Sequence, residues 1–308
     1  MIEISVQSEP EKQIPDGGTI AVKDPNHPLF EVWRILFRDK TALIGFFCIV
    51  VLVIIAVAAP WIAPYNFSDQ HILHSFKGPS TKYLLGTDEF GRDILSRIIW
   101  GTRPALLVGV LSVLVSIGIG VPIGVVAGYK MGKIDRIVSW GVDIMLSFPS
   151  LLLGLMMVTL MGPGLYKVAV AIGVSHIPQY IRLARGPAMS IRNLEFVQAA
   201  KALGAGDTRI TFVHILPNIV GPIIIMGTLS IAGAIRMEAS LSFLGFGIQP
   251  PTPSWGNMIR EGVSNILNSP WIALFPGLAL TAAVLAFNMV GDSLRDMFDP
   301  RSVTGGGA

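Results

Sequence analysis

Acidic side chains inside apolar stretches are the residues of this sequence best placed to do chemistry. Asp143 lies well inside the run 137–161, which holds no other charged residue. An acid at membrane depth costs about 2.5–3.5 kcal/mol unless it is paired or faces water, so a functional role is the default hypothesis. The alternative is a structural hydrogen bond to Ser139, Ser147 or a neighbouring helix. We favour the structural role, because one acid without a charged partner nearby in sequence makes a poor ion relay.

A second group of polar and aromatic residues follows the fifth apolar run. Residues 237–262 are rich in glycine, proline and aromatic side chains, and Arg236 and Glu238 stand at their start. Irregular backbone is tolerated at membrane depth only where it lines a cavity or is buried in protein. We therefore expect an outer loop here that forms a packed plug. With Asp143, the residues predicted to line or gate a path are Glu238, Ser240 and Phe243.

The sequence lacks the motifs that would let this chain act as an enzyme by itself. No Gly-x-x-x-x-Gly-Lys-Ser/Thr is present, and the nearest stretch, Gly128 to Lys133, lacks the spacing and the hydroxyl. His-Glu-x-x-His and Gly-x-Ser-x-Gly are absent too. His71 and His74 have a ligand-like spacing, but two histidines in a loop are usually solvated. We predict no catalytic residue and no metal site.

Composition identifies an integral membrane protein. Of 308 residues, 52% are hydrophobic and only 14% are charged, whereas a soluble domain carries about a quarter charged residues. Cys48 is the only cysteine, which excludes an internal disulfide. No basic patch interleaved with aromatics suggests nucleic acid. The fold class predicted is all-α.

Apolar runs long enough for the roughly 30 Å hydrocarbon layer divide the chain. We predict a transmembrane domain over 41–301, preceded by a disordered cytoplasmic tail at 1–28 and an interfacial helix at 29–40, and followed by a flexible tail at 302–308. The run 60–103 is predicted to be an extracytoplasmic scaffold. The predicted spans are 41–59, 104–129, 137–161, 168–186, 212–235 and 271–291.

Small residues and basic residues set the packing and the orientation of the second span. Gly120, Gly124 and Gly128 recur every four residues, which predicts a ridge that another helix can approach closely. The following short turn, 129–136, holds Lys130, Lys133 and Arg136. Basic residues in short loops favour the cytoplasmic side, so we predict that both termini are cytoplasmic.

A mildly charged segment between the fourth and fifth apolar runs is predicted to form a short helix outside the bundle. Phe196, Ala199, Ala200 and Leu203 share one helical face. Gly204 follows where a helix C-terminus favours positive φ, and Asp207 stands where an N-cap would begin the next helix. Such a helix either docks a partner through its small residues or lies on the bilayer surface.

The same segment resembles the "EAA" loop of ABC-importer permeases. The resemblance rests on Gln198-Ala199-Ala200, then Gly204 after three residues, then His214-Ile215-Leu216-Pro217 after nine. Gln198 replaces the usual Glu and keeps its size without its charge, and His214 takes the first position of the closing motif. In that family the loop is a cytoplasmic coupling helix that docks on the ATPase. The resemblance assigns ATPase coupling, within a loop at 190–211, to Glu195, Phe196, Gln198, Ala199, Ala200, Leu203, Gly204 and Asp207.

Three further stretches are similar to the dipeptide/oligopeptide/nickel branch of these permeases, and to the C-type member of the permease pair. They are Gly86-Thr87-Asp88 with Gly91-Arg92-Asp93 and Ser96-Arg97, the loop 237–262, and the tail 291–301. The resemblance implies a type I importer fold with six transmembrane helices in a bacterial inner membrane.

By the same resemblance, the partners are a second homologous permease, two ATP-binding subunits, an extracytoplasmic substrate-binding protein and membrane lipid. This chain carries no cofactor, and ATP and Mg are bound by the ATPases. Small peptides are the expected cargo; nickel chelates, glutathione, opines and oligosaccharides are alternatives. Two other classes stay open: an ATP-independent carrier or channel, and an intramembrane hydrolase using Asp143.

Overall fold

The computed structural model describes the backbone of residues 39–298 and the side chains of residues 39–296. The predicted tails at 1–28 and 302–308 and nearly all of the predicted interfacial helix at 29–40 lie outside this range. Within it, every regular element is a helix. The principal helices are α1 (Lys40–Ile62), α2 (Ile94–Lys130), α3 (Gly132–Leu146), α4 (Ser150–Met161), α5 (Leu165–Ile191), α6 (Glu195–Ala202), α7 (Val220–Phe243), α8 (Trp255–Ser264) and α9 (Trp271–Phe298).

Short polar caps fix where the long helices begin. The Asp39 carboxylate accepts a hydrogen bond from the backbone N–H of Thr41 at 2.9 Å and caps α1. Asp93 caps α2 in the same way, through the backbone N–H of Ser96 at 2.8 Å. Each cap satisfies one N–H that the first helical turn leaves without a partner. Ser293 also donates to Asp39, which ties the start of α1 to the end of α9.

Helices α2 and α5 form the closest helix pair of the bundle, and glycine makes the approach possible. A Cβ added at Gly120 would lie 2.9 Å from the carbonyl oxygen of Ile177, and at Gly124 and Gly128 it would lie closer still to α5 backbone. Ser116 adds a 2.7 Å hydrogen bond to the carbonyl of Gly173 on α5. Small residues and interhelical hydrogen bonds are the usual basis of tight packing in membranes.

By length and composition, four helical segments of the described chain could cross a membrane: Lys40–Ile62, Ile94–Lys130, Asp207–Phe243 and Trp271–Asp296. Helices α3 and α4 qualify together as a fifth, but they meet at 94°. The bend lies at the Ser147-Phe148-Pro149 sequence, where the proline prevents α3 from continuing. The sixth predicted run, 168–186, lies in α5, which has 27 residues but is too polar to pass the same criterion.

The two ends of the bundle differ in what they carry. The end we call the α6 end holds α6, the turn between α2 and α3, and residues 203–219. The opposite end, the α8 end, holds the loop 63–93, the loop 244–254 and α8. Three clusters of buried apolar side chains run between the two ends along α2, α5, α7 and α9.

Candidate functional site

Helix α6 is held to the bundle by one side chain and leaves its predicted face uncovered. Val197 is 1% exposed and packs into the cluster that contains Val125 and Ile210. Phe196 and Leu203 are 42% and 89% exposed, Ala199 is exposed, and Ala200 is half-buried. The face that the sequence predicted for docking therefore points away from the rest of the chain.

Local contacts fix the way in which α6 leaves α5 and returns to α7. The Gln198 amide donates to the carbonyl of Arg192 at 3.1 Å. Gly204 has φ of +82°, a conformation that favours glycine and ends the helix. Glu195 opens α6 and is exposed. The chain then re-enters through an irregular helical stretch, residues 207–219, that includes a π-turn and a 3₁₀ turn.

Asp207 does not have the N-cap role that the sequence predicted. Gly206 is the N-cap and Asp207 the first helical residue. The Asp207 carboxylate instead accepts a hydrogen bond from the Tyr129 hydroxyl at 3.0 Å and lies 3.7 Å from the Lys130 ammonium. The sequence could not reveal this, because Tyr129 lies 78 residues away from Asp207 in the chain. These contacts join the α6 segment to the end of α2.

An open cavity of about 470 Å³ lies beside α6 at the same end. Its wall is rich in basic side chains, which come from the α2–α3 turn, the end of α5 and α6 itself. They are Lys130, Lys133, Arg192 and Lys201. Exposed apolar and basic surface therefore lies together around α6.

Asp143 has a charged partner on a neighbouring helix, far from it in the sequence. The Arg182 guanidinium of α5 lies 2.9 Å from the Asp143 carboxylate, and both side chains are more than 60% exposed. Arg185 forms a second, two-pronged ion pair with Asp135. The partner was missed because it lies on another helix, 39 residues along the chain. Asp143 thus links α3 to α5 beside a cavity of about 290 Å³.

Glu238 does not open a loop, and the expectation that it does is wrong. It lies within α7, is 2% exposed, and accepts hydrogen bonds from the hydroxyls of Ser242 at 2.6 Å and Ser254 at 2.9 Å. Ser254 is the N-cap of α8. Glu238 therefore holds the loop 244–254 against α7 from inside the bundle, and it does not line any of the cavities described here.

The other two residues predicted for a path lie on α7 as well. Ser240 lines an open cavity of about 530 Å³ between α4, α5 and α7. Phe243 is the last residue of α7 and is 40% exposed. Arg236, which the sequence had suggested only as a loop boundary, lines the same cavity as Ser240. The sequence did contain a sign that Arg236 is functional, because a cation within an apolar helix costs about 2.5–3.5 kcal/mol.

A buried ion network closes the α8 end. The Asp88 carboxylate is fully buried and accepts from Arg92 Nε at 2.6 Å and from the Arg97 guanidinium. Glu261 of α8 lies 2.8 Å from Arg97 and 3.2 Å from Arg92. Two acids and two cations balance, and each side chain is at most 14% exposed. Burial raises the pKa of the neighbouring Glu89 carboxyl, and the charges of Glu261 and Asp88 raise it further.

No group of three or more His, Cys, Asp or Glu within the described residues is arranged to hold a metal ion.

Comparison with known proteins gives consistent matches over most of the chain. Residues 120–303 match the model of the "binding-protein-dependent transport system inner membrane component" family. Residues 28–79 match the "N-terminal TM domain of oligopeptide transport permease C".

Curated relatives cover nearly the whole chain. The dipeptide transport system permease protein DppC of Escherichia coli (strain K12) is 42% identical over 295 residues, which is 94% of this chain and 98% of the relative. The di/tripeptide transport system permease protein of Pseudomonas aeruginosa is 41% identical, over 89% of this chain and 92% of the relative. The glutathione transport system permease protein of Pectobacterium atrosepticum is also 41% identical, over 91% and 93%.

Among solved structures, an inward-facing form of the MetNI methionine ABC transporter has the same fold. The match has a TM-score of 0.55 at 20% sequence identity and covers 65% of this chain and 95% of the transporter chain. Fold, family model and relatives agree: this chain belongs to the binding-protein-dependent transport system inner membrane components, the membrane-spanning permease subunits of ABC importers.

Proposed function

We propose that this chain is the permease subunit of an ATP-driven importer of small peptides in a bacterial inner membrane. It forms half of the translocation path and couples to a separate ATPase through residues 193–217. Both termini and α6 lie on the cytoplasmic side in this proposal, and the α8 end faces outward. The basic α2–α3 turn at the α6 end supports that orientation, since short basic loops stay inside.

The observation that carries the coupling role is the exposed face of α6. Phe196, Ala199 and Leu203 are exposed and form a small apolar surface with the half-buried Ala200, while Val197 anchors the helix in the core. Exposed apolar surface on a rigidly held element is typical of a docking site. Because Val197 packs with Ile210 and Val125, a force on α6 would be transmitted to α2 and to the start of α7.

The energy source in this proposal is external to the chain. The sequence has no phosphate-binding loop, so two partner ATPases bind ATP and Mg and hydrolyse the nucleotide. A second permease supplies the other half of the path, and an extracytoplasmic binding protein delivers cargo. Switching a two-state bundle from 1:99 to 99:1 needs about 5.5 kcal/mol of differential binding. ATPase closure on nucleotide is the step that would supply it.

Small peptides are the proposed cargo because the relatives named for dipeptides and di/tripeptides match nearly the full chain. A glutathione permease is equally similar at 41%, so glutathione, itself a modified tripeptide, is the second candidate. Uptake of labelled dialanine in competition with glutathione, nickel chelates, opines and oligosaccharides would rank these cargoes. An ATP-independent carrier or channel would instead show uptake that survives ATP depletion.

The coupling role can be tested with Ala199→Glu. This change adds a charge to the exposed face of α6 without touching the core, so the chain should insert normally. We expect ATPase co-purification to fall at least tenfold, since a tenfold change corresponds to about 1.4 kcal/mol, and uptake to be lost. Thr81→Glu, which adds the same charge to an exposed position at the α8 end, should leave ATPase association unchanged.

Two results would contradict the proposal. ATPase association and ATP-dependent uptake that survive Ala199→Glu would remove α6 from the coupling role. Equal losses for Ala199→Glu and Thr81→Glu would show a general effect of charge on assembly and not a docking site.

A further inference from the structure

The cavity between α4, α5 and α7 has one formally charged residue in its wall. Arg236 lies on α7, seven residues before the helix ends, or about 10 Å along its axis at 1.5 Å per residue. The other polar groups of the wall are Ser150 on α4, His176 and Gln179 on α5, and Ser230 and Ser240 on α7. The cavity therefore presents hydrogen-bonding groups and one permanent positive charge within spanning helices.

The Arg236 guanidinium is exposed and has no partner among the residues whose side chains the structure describes. Its backbone carbonyl accepts from Ser240, but no hydrogen bond or ion pair involves its side chain. The acid two residues on, Glu238, faces the interior and is occupied by two serines. The ring Nδ1 of His176 is bonded to the carbonyl of Ile172, which leaves its Nε2 unpaired beside the cavity.

The wall also keeps the space beside Arg236 open. Gly233 lies one turn before Arg236 on α7, and a Cβ added there would meet no atom within 4 Å. Gly233 lines the same cavity. A glycine in a helix interior costs stability relative to alanine, and here no neighbouring helix requires it. Its effect is to leave space in the cavity that Arg236 also lines.

We propose that Arg236 is a carboxylate-binding residue of the translocation path, which holds the C-terminal carboxylate of a peptide in transit. The inference rests on the proposed function and names the residue that recognises this class of cargo. A peptide carries a carboxylate whatever its side chains, and guanidinium binds carboxylate in a planar, two-pronged geometry. His176, Gln179 and Ser240 supply hydrogen bonds that suit the peptide backbone. The site is low in affinity, because the cargo must leave it in every cycle.

The test uses the complete transporter, with its partner permease, ATPases and binding protein, reconstituted in lipid vesicles. The measurement is ATP-dependent uptake of labelled dialanine at saturating loaded binding protein. We expect Arg236→Gln to lower maximal uptake about tenfold or more, the range for hydrogen bonds to charged groups. Arg236→Lys should restore part of it, and assembly of the complex should be unchanged. Arg136→Gln, at an exposed and unpaired position on α3 outside the cavity, should transport normally.

A second variant tests the cavity while leaving Arg236 in place, so that misfolding of Arg236→Gln cannot decide the result alone. Gly233→Leu should fold, because its side chain enters open space, and should lower uptake by occupying part of the cavity that Arg236 lines. Normal uptake by Arg236→Gln or by Gly233→Leu would overturn the proposal. Loss of assembly in Arg236→Gln would also overturn it, since Arg236 would then pair with an acid of the second permease. Absence of dialanine uptake by the unmodified complex would reject the proposed cargo instead, which separates the two failures.

Discussion

The two ends of this bundle are built on different electrostatic principles. At the α8 end, Asp88, Arg92, Arg97 and Glu261 form a balanced network whose side chains are at most 14% exposed. Towards the α6 end the ion pairs are more exposed: the side chains of Arg185 and Asp135 are 31% and 15% exposed, and those of Arg182 and Asp143 more than 60%. Buried pairs are costly to break, whereas exposed pairs contribute little. The α8 end is therefore fixed more strongly within this chain than the α6 end.

Apolar surface follows the same division. Glu238, Ser242 and Ser254 fasten the loop 244–254 to α7 from inside at the α8 end. At the α6 end, one side chain, Val197, anchors a helix whose remaining apolar residues face outward. A permease needs a part that keeps its shape and a part that a motor can move. The α8 end has the features of the part that keeps its shape, and the α6 end has those of the part that a motor can move.

The largest expected effect comes from breaking the network at the α8 end. Asp88→Ala would leave two buried guanidinium groups with one acid, Glu261, between them, and two backbone N–H groups without an acceptor. We expect the free energy of unfolding to fall by about 3–5 kcal/mol, measured by denaturation of the purified chain in mixed detergent. Asp143→Ala, the matched change at the α6 end, should cost about 1 kcal/mol or less.

Comparable losses of unfolding free energy for Asp88→Ala and Asp143→Ala would contradict the contrast between the ends. A smaller loss of unfolding free energy for Asp88→Ala than for Asp143→Ala would reverse that contrast.

A smaller loss of stability is expected from disturbing the contact between α2 and α5. Gly124→Ala would place a Cβ in overlap with the carbonyl oxygen of Ile181 on α5, and overpacking of this kind costs about 1–3 kcal/mol. Gly118→Ala is a control in the same helix, because a Cβ there meets nothing within 4 Å. It should be neutral or stabilising by up to about 1 kcal/mol. Thermal denaturation of both variants in one detergent compares them, and equal melting temperatures would show that α2 and α5 do not need the close approach.

The sequence predicts most accurately what depends on local spacing. Gly120, Gly124 and Gly128 recur at one helical face, and Gly204 marks the end of α6. These features need only the chain within about two turns, where helix geometry is fixed. The fold class follows from composition and from the length of the apolar runs in the same way.

Errors arose where side chains meet across the bundle. The sequence near Asp143 shows no charged partner, and Arg182 reaches it from α5. The sequence places Glu238 at the start of a loop, but it lies within α7, and Ser254 reaches it from 16 residues away. Asp207 was expected to cap a helix and instead accepts from Tyr129. Arg236, like Asp143, is a charged residue within an apolar helix, and the sequence places it at the start of a loop although it lies within α7.

The central claim is that the exposed face of α6 lies inside the cell and is covered by an ATPase. Leu203→Cys in a Cys48→Ala background provides a single thiol at a position that is 89% exposed. A membrane-impermeant maleimide should label it in inside-out vesicles stripped of ATPase, and rebinding of the ATPases should block the labelling. Thr81→Cys should be labelled only from the outside, and binding of the ATPases should not change its labelling. Labelling of Leu203→Cys from outside the cell, or labelling that bound ATPase leaves unchanged, would contradict the account.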